Sequence, residues 1–199
     1  MKKRGHVAAW VAAGMVGLCL FARTAVGATE VSWPVAVALV PTIEAPGADQ
    51  DVVGLRLNLL AGRHRNMAFL DIGTLVDIVT REAYGVQVAG LWNSTGSARG
   101  ALQTAGFVNL CYGDCYGAQT AGVHSRTEGT FMGFQMAAVC SANVLKGLQV
   151  GLINRTSNSS GLQVGVVNYA EQSEGIQLGL VNIMPDGRYP VMPVFNLGF

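Results

Sequence analysis

Apolar and polar residues alternate along most of this chain with a period of two, which is the period of a β-strand. The segment GLQVGLIN at 147–154 places Leu148, Val150 and Leu152 on one face and Gln149, Gly151 and Ile153 on the other. A helical period of 3.6 residues does not fit this segment. We therefore predict strands rather than helices throughout the chain beyond position 28.

The alternating segment is repeated in tandem. Its starts lie 14 apart at Gly147, Gly161 and Gly175, and 16 apart at Gly85, Ala101, Gly117 and Gly133. One glutamine holds the frame of each unit, at Gln87, Gln103, Gln119, Gln135, Gln149, Gln163 and Gln177. Seven matches in series identify a repeat protein. Because both steps are even, the change from 16 to 14 is expected to keep each side chain on its own face.

Polar stretches separate the repeated segments. NSTGSARG at 93–100, RTSNSS at 155–160 and YAEQSE at 169–174 have the composition of loops or hairpins. Each unit is therefore predicted to contain one strand and one tight connection.

The repeats resemble the leptospira-type bacterial surface-repeat proteins. GLRLNLLAGRHRN at 54–66, FLDIGTLVD at 69–77, the GLQVGLIN units and the closing PVMPVFNLGF at 190–199 carry this resemblance. It covers residues 31–199 and departs from the family pattern at 101–123, where Ala and Thr replace Leu and Val. The resemblance implies export, a surface or outer-membrane setting, and no enzymatic activity.

Two all-β architectures can accommodate such repeats. One is an antiparallel meander of about 10–11 strands closed as a barrel. The alternative is a parallel β-solenoid with coils of 14–16 residues. Phe195, Leu197 and Phe199 alternate up to the chain end, as in the closing strand of outer-membrane barrels, and this favours the barrel.

The regularity of the glutamine frame favours the solenoid, because stacked Gln and Asn side chains would explain why the sequence itself repeats. Two observations count against it. The stretch 155–160 has few apolar residues to fill the far wall of a coil, and no polar capping unit follows the last repeat. The barrel is therefore the expected fold.

The start of the chain has the layout of a secretory signal peptide. Lys2, Lys3 and Arg4 precede an apolar run at 7–21, and small residues follow at 25–28. The apolar run is shorter than the roughly 20 residues that span a bilayer. We predict a signal peptide at 1–28, a single β-repeat domain at 29–199, and a protein exported to the outer membrane or cell surface.

The charge of the chain excludes one class of partner. The net charge is +1, and 13% of the residues are charged without any basic run, so nucleic-acid binding is not expected. The outer membrane is the predicted partner. The 50% hydrophobic content argues against a disordered chain.

Three cysteines lie in the predicted mature chain. Cys111 and Cys115 flank a Gly-Asp turn, and we hypothesise that they form a small disulfide that clamps it. Cys140 is interpreted as a small buried residue. A metal site that adds His124 lacks the usual paired-ligand spacing, so neither a metal nor a cofactor is predicted.

The histidines do not indicate a catalytic site. His64, in GRHRN, is predicted to lie in a solvated loop, and His124 to occupy the strand-end position that Asn154, Asn168 and Asn182 occupy in stronger units. No nucleophile motif accompanies them, so no catalytic residue is predicted. Trp33 and Trp92 would lie at the membrane interface of a barrel, and in a solenoid they would simply pack against neighbouring residues.

The sequence therefore predicts a non-enzymatic protein of the outer membrane or cell surface with a structural or interaction role. A small outer-membrane channel is the alternative function. An envelope enzyme ranks third.

Overall fold

The structure is a computed structural model, and it describes residues 32–40, 43–45 and 50–198. The predicted signal peptide lies outside these residues. The described part of the chain contains no helix, and therefore none long and apolar enough to cross a membrane.

In the described residues, fourteen strands form one sheet that winds around the molecule. They are β1 (Ser32–Val40), β2 (Ile43–Ala45), β3 (Asp51–Asn58), β4 (Ala61–His64), β5 (Met67–Gly73), β6 (Val76–Ala89), β7 (Trp92–Ala105), β8 (Val108–Cys111), β9 (Cys115–Ala121), β10 (His124–Met136), β11 (Val139–Ser159), β12 (Leu162–Ser173), β13 (Ile176–Ile183) and β14 (Val191–Leu197).

The sheet is a parallel β-solenoid of about 9 turns, so the all-β prediction is confirmed and the antiparallel barrel is wrong. Neighbouring coils pair in parallel and in register, with Gln149 beside Gln163 and Gln163 beside Gln177. The Gln frame decides the fold, because only parallel stacking places every glutamine beside its equivalent one coil away. Alternation alone would suit either architecture.

Each coil contains two strand segments separated by bends, rather than one strand and one loop. The Gln segment carries the glutamine of the repeat frame, and the Asn segment that follows carries the asparagine. In one coil these are Cys115–Ala121 and residues 124–127. The predicted loops are accordingly wrong: 93–100 lies within β7, 155–159 within β11 and 169–173 within β12.

The change of repeat step from 16 to 14 is divided between two bends. Met136 pairs with Thr120, a difference of 16 in residue number, whereas Val139 pairs with His124, a difference of 15. One residue has been lost at the intervening bend. A second is lost beyond Thr127, so that Val144 pairs with Thr130 and the difference becomes 14. The bends absorb these losses one at a time, and the residue difference is constant within each segment between bends.

Strands at the two ends of the sheet close the solenoid. β14 pairs antiparallel with β13, so it is a cap and not the closing strand of a barrel. At the other end β1 pairs in parallel with β3, and β2 folds back antiparallel on β1. The C-terminal cap is apolar rather than polar, since Val194, Phe195 and Leu197 of β14 are exposed. Phe199 lies outside the described residues.

A row of glycines starts the later coils and limits what can be placed there. A Cβ atom added to Gly161 would lie 2.2 Å from the carbonyl oxygen of Gly147, one coil earlier. We therefore expect Gly161→Ala to lower the free energy of unfolding by about 1–3 kcal/mol through overpacking against backbone. Ser160→Ala, at the exposed neighbouring residue, should change it by less than about 0.5 kcal/mol. Urea titrations of both variants test this, and equal midpoints would contradict it.

The interior combines polar rows with apolar clusters. Among the described residues, the largest apolar cluster lies in the middle coils and consists of Ala98, Ala101, Cys111, Cys115, Phe131, Ala142 and Leu145. Smaller apolar clusters and buried glutamine, asparagine, serine and threonine side chains occupy the other coils. This explains how 155–160 can line a coil without apolar residues: Thr156 and Ser159 are buried, and Gln163 donates a 3.3 Å hydrogen bond to Thr156 Oγ1.

Candidate functional site

The seven glutamines of the repeat frame form one continuous stack, the Gln row, inside the solenoid. All are buried, and from Gln103 onward each Nε2 donates to Oε1 of the glutamine one coil earlier, over 2.6–3.0 Å. Every amide in the row therefore points its N–H toward the N-terminal end. Such a directional stack needs an acceptor at that end.

Asp71 is the residue placed to provide this acceptor. It pairs in register with Gln87, whose Nε2 makes no hydrogen bond to any other described residue. A carboxylate accepts hydrogen bonds and donates none. It therefore suits the N-terminal end of the Gln row, where the glutamine N–H groups point. Asp71 thus occupies the glutamine position of its own coil.

A second stack, the Asn row, lines the Asn segments and points the opposite way. Asn154 Nδ2 donates to Asn168 Oδ1, and Asn168 Nδ2 to Asn182 Oδ1, each over 2.8 Å. The same nitrogens also donate to backbone carbonyls of the following coil, which anchors each amide twice. Because the two rows run in opposite directions, their amide dipoles oppose each other inside the solenoid.

The predicted position of His124 in the Asn row is wrong by one residue. Ser125 pairs with Asn109 and with Cys140, so Ser125 lies in the row. The longer coils carry one more residue before the asparagine than the shorter coils do. His124 consequently faces outward beside Val139.

A buried charged cluster closes the N-terminal end of both rows. Arg56 is fully buried, and its Nε donates to Asp71 Oδ1 over 2.7 Å while Nη2 lies 3.3 Å from Asp77 Oδ1. Asn58 donates to both carboxylates. One guanidinium thus faces two carboxyl groups, and the set would carry a net negative charge if both were ionised.

Protonation of one carboxyl group, which the cluster favours, would remove this excess negative charge. Burial, followed by the charge of Asp71, raises the pKa of Asp77 to about 7. Burial also raises the pKa of Asp71, against the opposing effect of Arg56. Asp77 pairs in register with Asn93, whose Oδ1 accepts no hydrogen bond from any described residue. A protonated Asp77 has a donor for this acceptor, as the asparagines of later coils do.

We expect Asp77→Asn to stabilise the protein by about 1–2 kcal/mol at pH 8, because it extends the Asn row and removes a buried charge. In the wild type, the folded state holds a proton between pH 4 and 7 that the unfolded state has released, so the free energy of unfolding falls as pH rises through this range. The variant should show a smaller fall. Urea unfolding at pH 5 and pH 8 measures both, and a variant less stable than wild type at pH 8 would refute the assignment.

Sequence reasoning missed this cluster, although the repeat frame contained the signal. Extending the frame backwards through FLDIGTLVD places Asp71 in the glutamine position and Asp77 in the asparagine position, and GLRLN places Arg56 in the glutamine position. Three charged residues in positions that are otherwise amides indicate a buried ionic group.

Cys111 and Cys115 are free, buried thiols at one bend of a coil. They lie on successive segments of the chain, β8 at the end of one coil and β9 at the start of the next, and not opposite each other in a hairpin. A hydrogen bond with Cys111, followed by burial, raises the pKa of the Cys115 thiol. The disulfide stays a prediction. Alkylation in denaturant without reductant would label Cys140 but neither of this pair if the disulfide forms.

The remaining predicted residues lie apart from one another. His64 is buried in β4 rather than solvated, because strand alternation turns Arg63 outward and His64 inward. Cys140 is buried in the Asn row, where burial raises the pKa of its thiol to about 12. Among the described residues, no group of three His, Cys, Asp or Glu side chains is placed to hold a metal ion.

The outer surface of the solenoid carries an apolar wall. Each coil contributes four residues to this wall. Two are the outward residues immediately before and after the glutamine, such as Leu148 and Val150, and two lie at the bend that follows, such as Leu152 and Ile153. Four such positions in each of eight coils, from Leu70 to Val181, make 32 positions. None is Asp, Glu, Lys or Arg, and the polar exceptions are Thr104, Thr120 and His124.

The wall is large for a surface feature. With strands about 4.8 Å apart and about 3.3 Å per residue, its backbone footprint is roughly 650 Å². The largest apolar patch on a typical monomeric protein covers about 300–600 Å². β14 extends the wall further with exposed Val194, Phe195 and Leu197.

No family model, curated protein or solved structure matches the chain. The resemblance to bacterial surface-repeat proteins therefore stays a prediction.

The side of the solenoid away from the wall is polar. An open groove of about 640 Å³ there is lined by Arg81, Glu82 and Tyr112, among other residues. At the border of the two sides, His124 Nε2 lies 3.1 Å from Ser141 Oγ. Burial, then the charge of Arg126, lowers the pKa of His124, so its ring is neutral at pH 7. The charge acting on this imidazole is a cation, whereas a hydrolytic triad uses a carboxylate to orient the histidine.

Proposed function

We propose that this chain is an exported, non-enzymatic interaction protein of the bacterial envelope and that the apolar wall is its interaction surface. The observation that carries the proposal is the reversed distribution of polarity. Amide rows run through the interior, and leucine, isoleucine, valine and phenylalanine cover one side of the exterior.

The apolar residues of the wall are not required to build the core. Hydrogen-bonded rows and a separate set of buried apolar side chains already occupy the interior, and the backbone ladders join the coils. Polar outward residues would serve the ladders equally well and would improve solubility. Uncharged apolar residues at 29 of the 32 positions, after subtracting the three polar exceptions, are therefore better explained by binding.

Export is supported by the sequence layout of residues 1–28 and by the resemblance to surface-repeat proteins. The channel alternative needs an open lumen. In the described coils, the Gln and Asn rows occupy the corresponding space, so the interaction role is the better supported function.

Fractionation of bacteria that express the full chain tests this proposal. Leu152→Gln with Leu180→Gln changes two of the most exposed wall residues, at 60% and 70% exposure. Asn158→Gln with Glu171→Gln is the matched control at exposed polar positions. We expect wild type and control in the envelope pellet and the wall variant in the soluble fraction, with all three unfolding at the same urea concentration. A folded wall variant retained in the pellet like wild type would overturn the proposal.

A further inference from the structure

We propose that the apolar wall binds the surface of a phospholipid bilayer that contains anionic lipid. This inference rests on the proposed function and names the partner of the same surface. It follows from the shape of the wall, the pairing of its backbone and the charges along its two long edges.

The wall is a convex ridge. The chain bends between the residues that flank the Gln row and the Asn segment, and the residues at the bend are among the most exposed on the molecule. They include Phe107 at 53%, Leu152 at 60% and Leu180 at 70% exposure. Two convex ridges meet along a line, and a stable protein interface needs about 800 Å² from each partner. Lipid chains are fluid and can follow the ridge along its whole length.

The backbone of the ridge is already hydrogen-bonded. Parallel ladders join the Gln segments on either side of each interior coil. The bends are bonded too: Leu91 N donates to Leu75 O, and Phe107 N donates to Leu91 O, over 3.0 and 3.1 Å. An unpaired N–H or C=O group costs several kcal/mol in the apolar part of a bilayer. This wall can enter that region without such a cost.

Cations border both long edges of the wall. Arg63, Arg126 and Arg155 share the outward row that directly follows the Asn row. Arg99 and Lys146 share the row on the other edge, where Glu174 is the acidic residue. Lys and Arg beside an apolar surface extend their charged ends to lipid phosphates, and each strengthens binding to an anionic membrane roughly fivefold.

Existing contacts of these cations do not prevent lipid binding. Arg126 lies 3.2 Å from Glu128 and Arg99 lies 3.3 Å from Glu82, and both arginines are more than half exposed. Exposed ion pairs of this kind contribute little to stability, so a lipid phosphate can replace the carboxylate. Arg155 lies over the ring of Tyr169 at 5.8 Å, which suits the headgroup region where aromatic rings are enriched.

Flotation with vesicles tests the inference. The full chain is expressed and purified as the host processes it, then mixed with vesicles of phosphatidylcholine alone or of phosphatidylcholine and phosphatidylglycerol. We expect it to float with the mixed vesicles. Arg126→Gln with Arg155→Gln should weaken binding to the mixed vesicles roughly tenfold or more. The same pair of substitutions should weaken binding to phosphatidylcholine vesicles much less. Leu152→Gln with Leu180→Gln should weaken binding to both, and the Asn158→Gln, Glu171→Gln control should bind like wild type.

Two results would overturn lipid binding. The first is flotation that the wall variant leaves unchanged, and the second is no flotation at all. If the wall substitutions still release the protein from the envelope pellet in that second case, the interaction surface stands and its partner is a protein. Light scattering would then identify a second copy of this chain by a dimer that the wall variant abolishes. If the wall substitutions affect neither flotation nor fractionation, the proposed function fails as well.

Discussion

Replacing Arg56 by methionine is expected to lower the free energy of unfolding by about 3–5 kcal/mol, the largest effect we predict for one substitution. Arg56 is fully buried and is the partner shared by Asp71 and Asp77. Methionine fills a similar space but leaves two buried carboxyl groups without their cation. The carboxyl groups must then take up protons at the expense of stability or remain charged in the interior.

Removing the carboxylates should rescue this variant. Arg56→Met combined with Asp71→Asn and Asp77→Asn leaves no buried charge in the cluster and should recover most of the lost stability. Urea unfolding of the wild type, the single variant and the triple variant at pH 7 measures both changes. A loss below about 1 kcal/mol in the single variant would contradict the cluster.

Replacing Gln149 by leucine is expected to lower the free energy of unfolding by about 2–4 kcal/mol. Gln149 donates to Gln135 Oε1 over 2.8 Å and accepts from Gln163 Nε2 over 3.0 Å. Leucine would leave a buried carbonyl oxygen at Gln135 without its donor. As a donor, Gln163 Nε2 would keep only its longer hydrogen bond to Thr156 Oγ1. Gln135 and Gln163 are both buried, so bulk water cannot replace the lost partners.

Gln172→Leu is the matched control for this prediction. Gln172 is exposed in the next coil, so the same substitution should change the free energy of unfolding by less than about 0.5 kcal/mol. Equal effects of Gln149→Leu and Gln172→Leu in urea would show that the Gln row does not stabilise the fold.

The repeat period made the strands and the ladder partners predictable. Because Gln149, Gln163 and Gln177 recur at a fixed step, the sequence indicates which residues can stack if the coils are parallel. The period could not decide between parallel coils and antiparallel strands, since both bury one face of an alternating segment. The chemistry of glutamine favours parallel coils. A side-chain amide can donate a hydrogen bond to one identical neighbour and accept one from another, and a parallel stack satisfies both groups.

The bends were less predictable, because they interrupt the alternation that strand prediction relies on. Leu152 and Ile153 are consecutive, and alternation assigns them to opposite faces, yet both lie on the apolar wall because the chain bends between the two segments. Because the bends interrupt the alternation, the loss of one residue at each bend was not predicted, and His124 was assigned to the wrong position. The polar composition of 155–160 predicted a solvent-exposed loop. The Thr156 hydroxyl in this stretch instead faces the Gln row.

Nuclear Overhauser contacts between methyl groups of neighbouring coils would test the parallel, in-register stacking most directly. The structure predicts contacts whose residue numbers differ by 14 along a whole coil, for Leu148 with Leu162, Val150 with Val164 and Ile153 with Val167 at once. Antiparallel strands keep the sum of paired residue numbers constant, so these differences would change by four for every two positions along the strand. Contacts whose separation changes in that way would contradict the solenoid, and with it the Gln row and the apolar wall.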